Sequence, residues 1–232
     1  MTDSKVLAID TALQAASACI FAEGADAPLA SETLRMDRGH AEALLPLIDR
    51  VMGRLDDGFP ALSRIAVTVG PGSFTGLRVG IAAARAIGLA CGIPVVGVST
   101  LAALAAPVIL EQKPGLVVAA IDARHASVYF AVFGSDGRAV VRPRFATARE
   151  VVRSFGPGPV RLVGSGAPML AIEAWSVGLG VEIVGDVLAP DIAVVAKLGF
   201  LADPRSAPPR PLYLKAADAK PQDGNRLPLA PA

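Results

Sequence analysis

Aromatic side chains are scarce in this chain of 232 residues, making up 5% of it with a single tryptophan. There are two cysteines, Cys19 and Cys91, and two histidines, His40 and His125. So few cysteines exclude a disulfide framework, and both read as buried thiols in a reducing compartment. No Cys-x-x-Cys occurs, and neither histidine has a second one four residues on. A zinc set is therefore absent at any familiar spacing, and both histidines read as surface or interface residues. Charge is sparse and balanced, at 19% with a net value of +1, which removes the bulk electrostatic argument for nucleic-acid binding. Long uninterrupted apolar runs are missing as well. The longest, Val79 to Val98, is broken by Arg85, Pro94 and four glycines, and reads as helix, turn and strand in a soluble core. Asp10 interrupts the first apolar run, so no signal peptide and no membrane attachment are expected, and a cytoplasmic location follows by elimination.

What the chain does have is small aliphatic bulk. Hydrophobic residues make up 53%, mostly Ala, Val, Leu and Ile, a composition suited to helices on a sheet. Strands are expected at Val6–Asp10, Ala16–Ala22 and Ser31–Met36, then a helix at His40–Met52 with Leu44, Leu45, Ile48 and Met52 on one face. Strand Arg64–Val69, helix Thr75–Cys91, strand Pro94–Val98 and helix Thr100–Leu110 follow. The pattern then restarts. Leu116–Asp122 ends in Ala-Ile-Asp as the first strand does, and Ser127–Gly134 and Val140–Phe145 answer the second and third strands. A helix at Thr147–Phe155 opens on a capping box. Val160–Gly164, Ala167–Trp175, Val181–Val184 and Asp191–Ala202 complete the series. The reading is a duplicated α/β architecture, with one lobe over residues 1–112, a second over 113–215 and a loosely ordered tail over 216–232.

Three features carry candidate chemistry. The first is the corner Gly70-Pro71-Gly72-Ser73-Phe74-Thr75-Gly76, between a strand and a small-residue helix. It has no lysine after its last glycine, so it is not a Walker A loop, and Thr75 stands where a dinucleotide fingerprint needs glycine. Three readings stay open: a structural corner with Ser73 or Thr75 as cap and Phe74 filling a pocket, an anion site at a helix start, or a protein contact. The second is the pair Asp10 and Asp122, each ending a strand of the repeat. Matching strand ends would set them facing each other across a cleft, as magnesium ligands in a kinase-like fold, or simply as turn-forming residues. The third is Gly164-Ser165-Gly166, which fits either a close approach to a nucleoside or a plain tight turn.

Taken together, Val6–Thr11, Arg38-Gly39-His40 leading into Leu44-Leu45-Pro46, Gly70–Arg78, Gly97–Leu101, Ile121–Arg124 and Pro211–Lys215 resemble the TsaB (YeaZ) family. The matches run in order over nearly the whole chain; Lys215 stands where that family often has arginine. The resemblance implies an actin/Hsp70/sugar-kinase type of fold with two related α/β lobes. It also implies a dimerisation subunit in making N6-threonylcarbamoyladenosine at position 37 of tRNAs that read codons beginning with A. A TsaD-like catalytic subunit and a TsaE-like ATPase would be its partners, tRNA would be met through the complex, and a homodimer would form when the partner is absent. The catalytic relative carries a His-x-x-x-His pair where this chain has Thr100 and Leu104. The resemblance thus implies no catalytic residue, no metal and no cofactor in this chain, with ATP and magnesium belonging to the assembled complex. It places the dimer face on His40, Leu44, Leu45, Ile48, Met52, Phe74, Leu77, Arg78, Ile81 and Arg85, and a possible nucleotide cleft at Asp10, Asp122, Gly164 and Gly166. The rival readings are a small-molecule kinase using Asp10 or Asp122 with magnesium, a metallopeptidase, and a homodimeric structural protein.

Overall fold

The computed structural model describes residues 4–156, 158–185 and 187–215; the tail over 216–232 lies outside them. The first half runs β1 (Lys5–Asp10), β2 (Ala15–Ala22), β3 (Ala30–Arg35), α1 (His40–Met52), β4 (Arg64–Gly70), α2 (Phe74–Cys91), β5 (Val95–Ser99) and α3 (Thr100–Leu110). The second half repeats that order as β6 (Leu116–Asp122), β7 (Ser127–Phe133), β8 (Ala139–Thr147), α4 (Ala148–Arg153), β9 (Val160–Val163), α5 (Ala167–Ser176), β10 (Glu182–Gly185) and α6 (Ile192–Leu201). The sheets are ordered β3-β2-β1-β4-β5 and β8-β7-β6-β9-β10, so the duplication read from the sequence is present strand for strand. Each sheet joins an antiparallel meander to two parallel strands. This is the two-lobed α/β arrangement of the actin/Hsp70/sugar-kinase fold.

Period-2 alternation in β1 decides the layering. Leu7 and Ile9 face one way, into a core with Leu44, Leu47, Ile48 and Val51 of α1 and Leu77, Ile81 and Ala84 of α2. Val6 and Ala8 face the other way, against Ile192, Val195 and Ala196 of α6. In the second sheet Val118 and Ala120 face α4 and α5, while Val117, Ala119 and Ile121 face Leu101, Leu104 and Val108 of α3. The order of layers is α1/α2, first sheet, α3/α6, second sheet, α4/α5. Each lobe's last helix therefore packs on the other lobe's sheet, so the boundary at residue 112 follows the chain but not the packing.

Two arginines tie this exchange down. Arg64 of β4 donates from Nη1 to the carbonyls of Gly199, Phe200 and Ala202 at the end of α6, at 3.0, 3.2 and 3.1 Å. Arg161 of β9 donates to the carbonyls of Val108 and Lys113 at the end of α3, at 3.1 and 3.2 Å, and to Glu111 at 3.3 Å. A helix C-terminus leaves carbonyls unpaired and carries partial negative charge, which a guanidinium satisfies on both counts. The chain then returns to the first lobe. Gly97 donates its N–H to Ala207, and Leu212 donates to Val69 at 2.7 Å.

One helix among the described residues, α2, is long and apolar enough to cross a membrane, with mean hydropathy 1.3. Here it seats Leu77, Ile81 and Ala84 on the first sheet and turns Arg78 and Arg85 outward.

Candidate functional site

The glycine-rich corner joins β4 to α2 and lies against the β1–β2 connection. Ser73 donates its N–H to Ala12 O at 2.7 Å, and its own hydroxyl caps the helix by accepting from Gly76 N at 3.2 Å. A Cβ at Gly72 would collide with the Ala12 carbonyl, one at Gly76 with the Thr11 carbonyl and one at Gly80 with the Thr11 hydroxyl. The glycines serve backbone-to-backbone packing, so the structural reading accounts for this corner. Gly164 and Gly166 do the same in the second lobe. Cβ atoms there would meet the Ala120 carbonyl and side chain, and Gly166 N donates to Ala120 O at 3.0 Å. Phe74 fills no pocket. Its ring is half exposed, with the Arg78 guanidinium 3.7 Å from its centroid and the Tyr213 ring 5.3 Å away. Arg78 Nε also donates to Tyr213 Oη at 3.0 Å.

Asp10 and Asp122 do not face each other. Asp10 pairs opposite Ser17 on the face of the first sheet that looks toward the middle layer, and it is wholly buried. Its Oδ1 accepts from Thr68 Oγ1 at 2.5 Å and from Ala12 N at 3.1 Å. Its Oδ2 is buried with no partner among the described residues. Burial outweighs these hydrogen bonds and the nearby His40, and pushes the carboxyl up to about 6. Asp122 pairs opposite Val128, on the outer face of the second sheet, and is exposed. Its Oδ1 accepts from Arg124 N at 2.7 Å, which makes it a turn former. The repeated Ala-Ile-Asp is thus out of phase by one position: Ile121, not Asp122, points as Asp10 does. A one-residue slip in a strand reverses the facing, which a sequence match alone does not reveal. A magnesium–nucleotide site shared by these carboxylates does not fit the residues. The described residues bring together no three His, Cys, Asp or Glu groups able to hold a metal ion.

The helix pair α1/α2 corrects much of the expected dimer face. Leu44, Ile48, Met52, Leu77 and Ile81 are core, turned onto the first sheet. The reason is the width of the stripe: a helix on a sheet buries a broad apolar arc, and Leu44, Ile48 and Met52 all fall inside it. His40 is buried too, its Nε2 3.0 Å from Leu13 O, and ties the start of α1 to the β1–β2 turn. Leu45, Phe74, Arg78 and Arg85 do reach the surface. Beside them the sequence reading missed Leu89, 86% exposed on α2, while Leu45 is 59% exposed. Ala41, Ala82 and Ala86 are also exposed on these two helices. Tyr213 was missed as a partner of Phe74; an aromatic in a proline-rich return segment was the available signal. Thr100 and Leu104 are buried in α3. Cys19 is buried, its thiol pushed up to about 12 chiefly by burial, whereas Cys91 is only half-buried; neither forms a disulfide.

The sequence model of the family described as TsaD, tRNA N6-adenosine threonylcarbamoyltransferase, matches residues 32–196. An uncharacterised protein of Mycobacterium tuberculosis is 36% identical over 219 residues, spanning 94% of this chain and 95% of that one. The tRNA threonylcarbamoyladenosine biosynthesis protein TsaB of Escherichia coli is 31% identical over 154 residues, 62% of this chain and 65% of that one. Among solved structures, YeaZ from Pseudomonas aeruginosa superposes with a TM-score of 0.72 at 27% identity, covering 91% of this chain and all of that one.

Proposed function

The chain belongs to the TsaB (YeaZ) family of tRNA threonylcarbamoyladenosine biosynthesis, and on that premise we propose that it is a non-catalytic scaffold subunit. In this reading it supports a TsaD-like partner that transfers a threonylcarbamoyl group to N6 of adenosine 37, in tRNAs reading codons that begin with A. A TsaE-like ATPase joins the assembly, tRNA is met through the complex, and the work is cytoplasmic. The chain itself holds no cofactor; ATP and magnesium belong to the assembly.

The observation that carries the proposal is the outer face of α1 and α2. Leu45, Phe74 and Leu89 stand exposed there among alanines, on two helices that pack side by side on one sheet. Large side chains set among small ones let two helix pairs approach closely and bury apolar area. The buried Thr100 and Leu104 add support, since a threonine and a leucine sealed in α3 offer no open ligand pair. The kinase alternative gains nothing from a sealed Asp10 and an outward-facing Asp122.

The test is association in solution. Size-exclusion chromatography with light scattering should give a stable complex of this chain with its host's TsaD-type protein. Leu45→Asp combined with Leu89→Asp should abolish that complex, and the homodimer formed without the partner, while circular dichroism stays unchanged. An intact complex in the double variant would remove the helix face from the proposal.

A further inference from the structure

The chain's charge is balanced only as a whole. Residues 1–112 carry eight basic and eleven acidic side chains, whereas residues 113–215 carry twelve basic and eight acidic. The excess is concentrated. Between Arg124 and Arg153 lie six arginines, no lysine, and only Asp136 and Glu150 as acids. All six arginines are exposed.

The fold gathers them at one side of the second lobe. β8 is the outermost strand of its sheet and carries Arg142 and Arg144. The β7–β8 hairpin carries Arg138, and α4, which follows β8 directly, carries Arg149 and Arg153. The turn between β6 and β7 meets β8 at the end where α4 begins, with Ser127 opposite Thr147 and Ala148 N bonded to Ala126 O at 2.9 Å, while Arg138 lies at the other end of that strand. That turn presents Arg124 and His125, and it is strained. Arg124, His125 and Ala126 take positive φ in succession, at 65°, 52° and 53°. L-residues avoid that region, so three in a row at a surface turn mark a conformation that the surrounding structure holds in place.

Arg138 and Arg149 have loose ion pairs, 3.5 Å to Asp136 and 3.7 Å to Glu173. Arg124, Arg142 and Arg144 have no carboxylate within 4.0 Å among the described residues. Charge on an outer strand can simply guard the edge against pairing with another chain. The equivalent edge of the first lobe shows how little that takes. Its strand β3 carries Glu32 and Arg35, and Glu32 is held at 2.6 Å by Arg50. β8 is moreover already blunted by Pro143 and by shifts of register opposite Val132. Unpaired arginines of one sign are more than a guard requires, and their planar, weakly hydrated guanidinium groups suit bidentate contact with phosphate oxygens.

We infer that this edge, made of the 124–126 turn, β8 and the adjoining face of α4, is a contact surface for the phosphodiester backbone of RNA. The identity of the RNA as tRNA rests on the function proposed above. The contact is sequence-independent: it holds and orients the nucleic acid, and leaves recognition of the modified base to the partner.

The test is fluorescence anisotropy of end-labelled, unmodified tRNA titrated with this chain, alone and mixed with its host's TsaD-type protein, across a series of salt concentrations. Arg142→Ala with Arg144→Ala should weaken binding about tenfold at low salt and reduce the log–log salt slope by roughly 1.5, as loss of two phosphate contacts requires. Lysine at both positions should restore most of the slope. Arg54→Glu, a charge change on the acidic lobe, should leave both quantities alone. Equal affinity and slope for wild type and the double alanine variant in both mixtures would overturn the inference, whether or not the complex assembles. New self-association of that variant, seen by light scattering with RNA affinity unchanged, would reduce the arginines to edge guards and overturn it equally. Failure of the complex to form, with a variant-sensitive contact to tRNA by this chain alone, would count against the proposed function and not against the RNA edge.

Discussion

The carboxyl of Asp10 is sealed inside the first lobe with one oxygen lacking a partner among the described residues, and burial pushes its pKa up to about 6. Folding therefore favours the protonated acid. Its contribution to stability is fully present below the unfolded value near 3.8 and is lost as pH rises through 6. The loss is on the order of 3 kcal/mol. Thermal unfolding of the wild type should fall in midpoint between pH 4 and 7, and Asp10→Asn, neutral throughout, should flatten that decline. Parallel curves for the two proteins would show that Asp10 is not the group responsible. Gly76 gives a second residue-scale prediction. A methyl group there runs into the Thr11 carbonyl, which is backbone and gives way poorly. Gly76→Ala should destabilise by about 1–3 kcal/mol in urea unfolding, whereas Gly24→Ala, with nothing near its Cβ site, should cost only the strain of its φ of 75°.

At the scale of elements, the two faces of α1 separate experimentally. Ile48→Asp places a charge in the packed core with Leu44, Leu47 and Val51 and should prevent folding. Leu45→Asp, three residues away on the outer face, should leave the unfolding free energy within about 0.5 kcal/mol of wild type. If both variants fold equally well, the stripe is not core as the structure has it. The sequence carried enough to bound α1, α3 and β6 to the residue and to place the other elements within a few positions. Alternation, capping residues and glycine stops are local signals, and they suffice for that. Facing was harder to read. Leu44 and Leu45 are adjacent in an apolar stripe, yet one lies under the helix and the other on top. That difference is set by how the helix sits on its sheet. Asp122 was misjudged for a related reason: a matched tripeptide gave its place along the strand but not the register that fixes which face it shares. The stacking of Tyr213 on Phe74 and Arg78 joins positions 135 or more apart in sequence, and the aromatic in the return segment does not by itself say which residues it meets.

For the molecule as a whole, the exchange of α3 and α6 makes the two lobes one folding unit. Ending the chain before Asp191 would uncover Val6, Ala8, Cys19 and Phe21 and leave Arg64 without the carbonyls it caps. Such a truncation should lose the cooperative unfolding transition altogether, as followed by circular dichroism, even though every strand of the first sheet remains. This unity also bears on function. A scaffold whose outer helices hold a partner, and whose far edge holds RNA, needs the two surfaces kept at a fixed separation. The middle layer, in which each lobe's last helix packs on the other lobe's sheet, is what ties the two surfaces together. Under the proposed function this chain is required for threonylcarbamoyl transfer without performing it. The most direct measurement mixes it with its host's TsaD-type and TsaE-type proteins, threonylcarbamoyl-AMP, ATP, magnesium and unmodified tRNA, and detects the modified nucleoside by mass spectrometry. Product is expected only when this chain and the TsaD-type protein are both present, and none from this chain alone. Full product in its absence, or product from this chain by itself, would contradict that function.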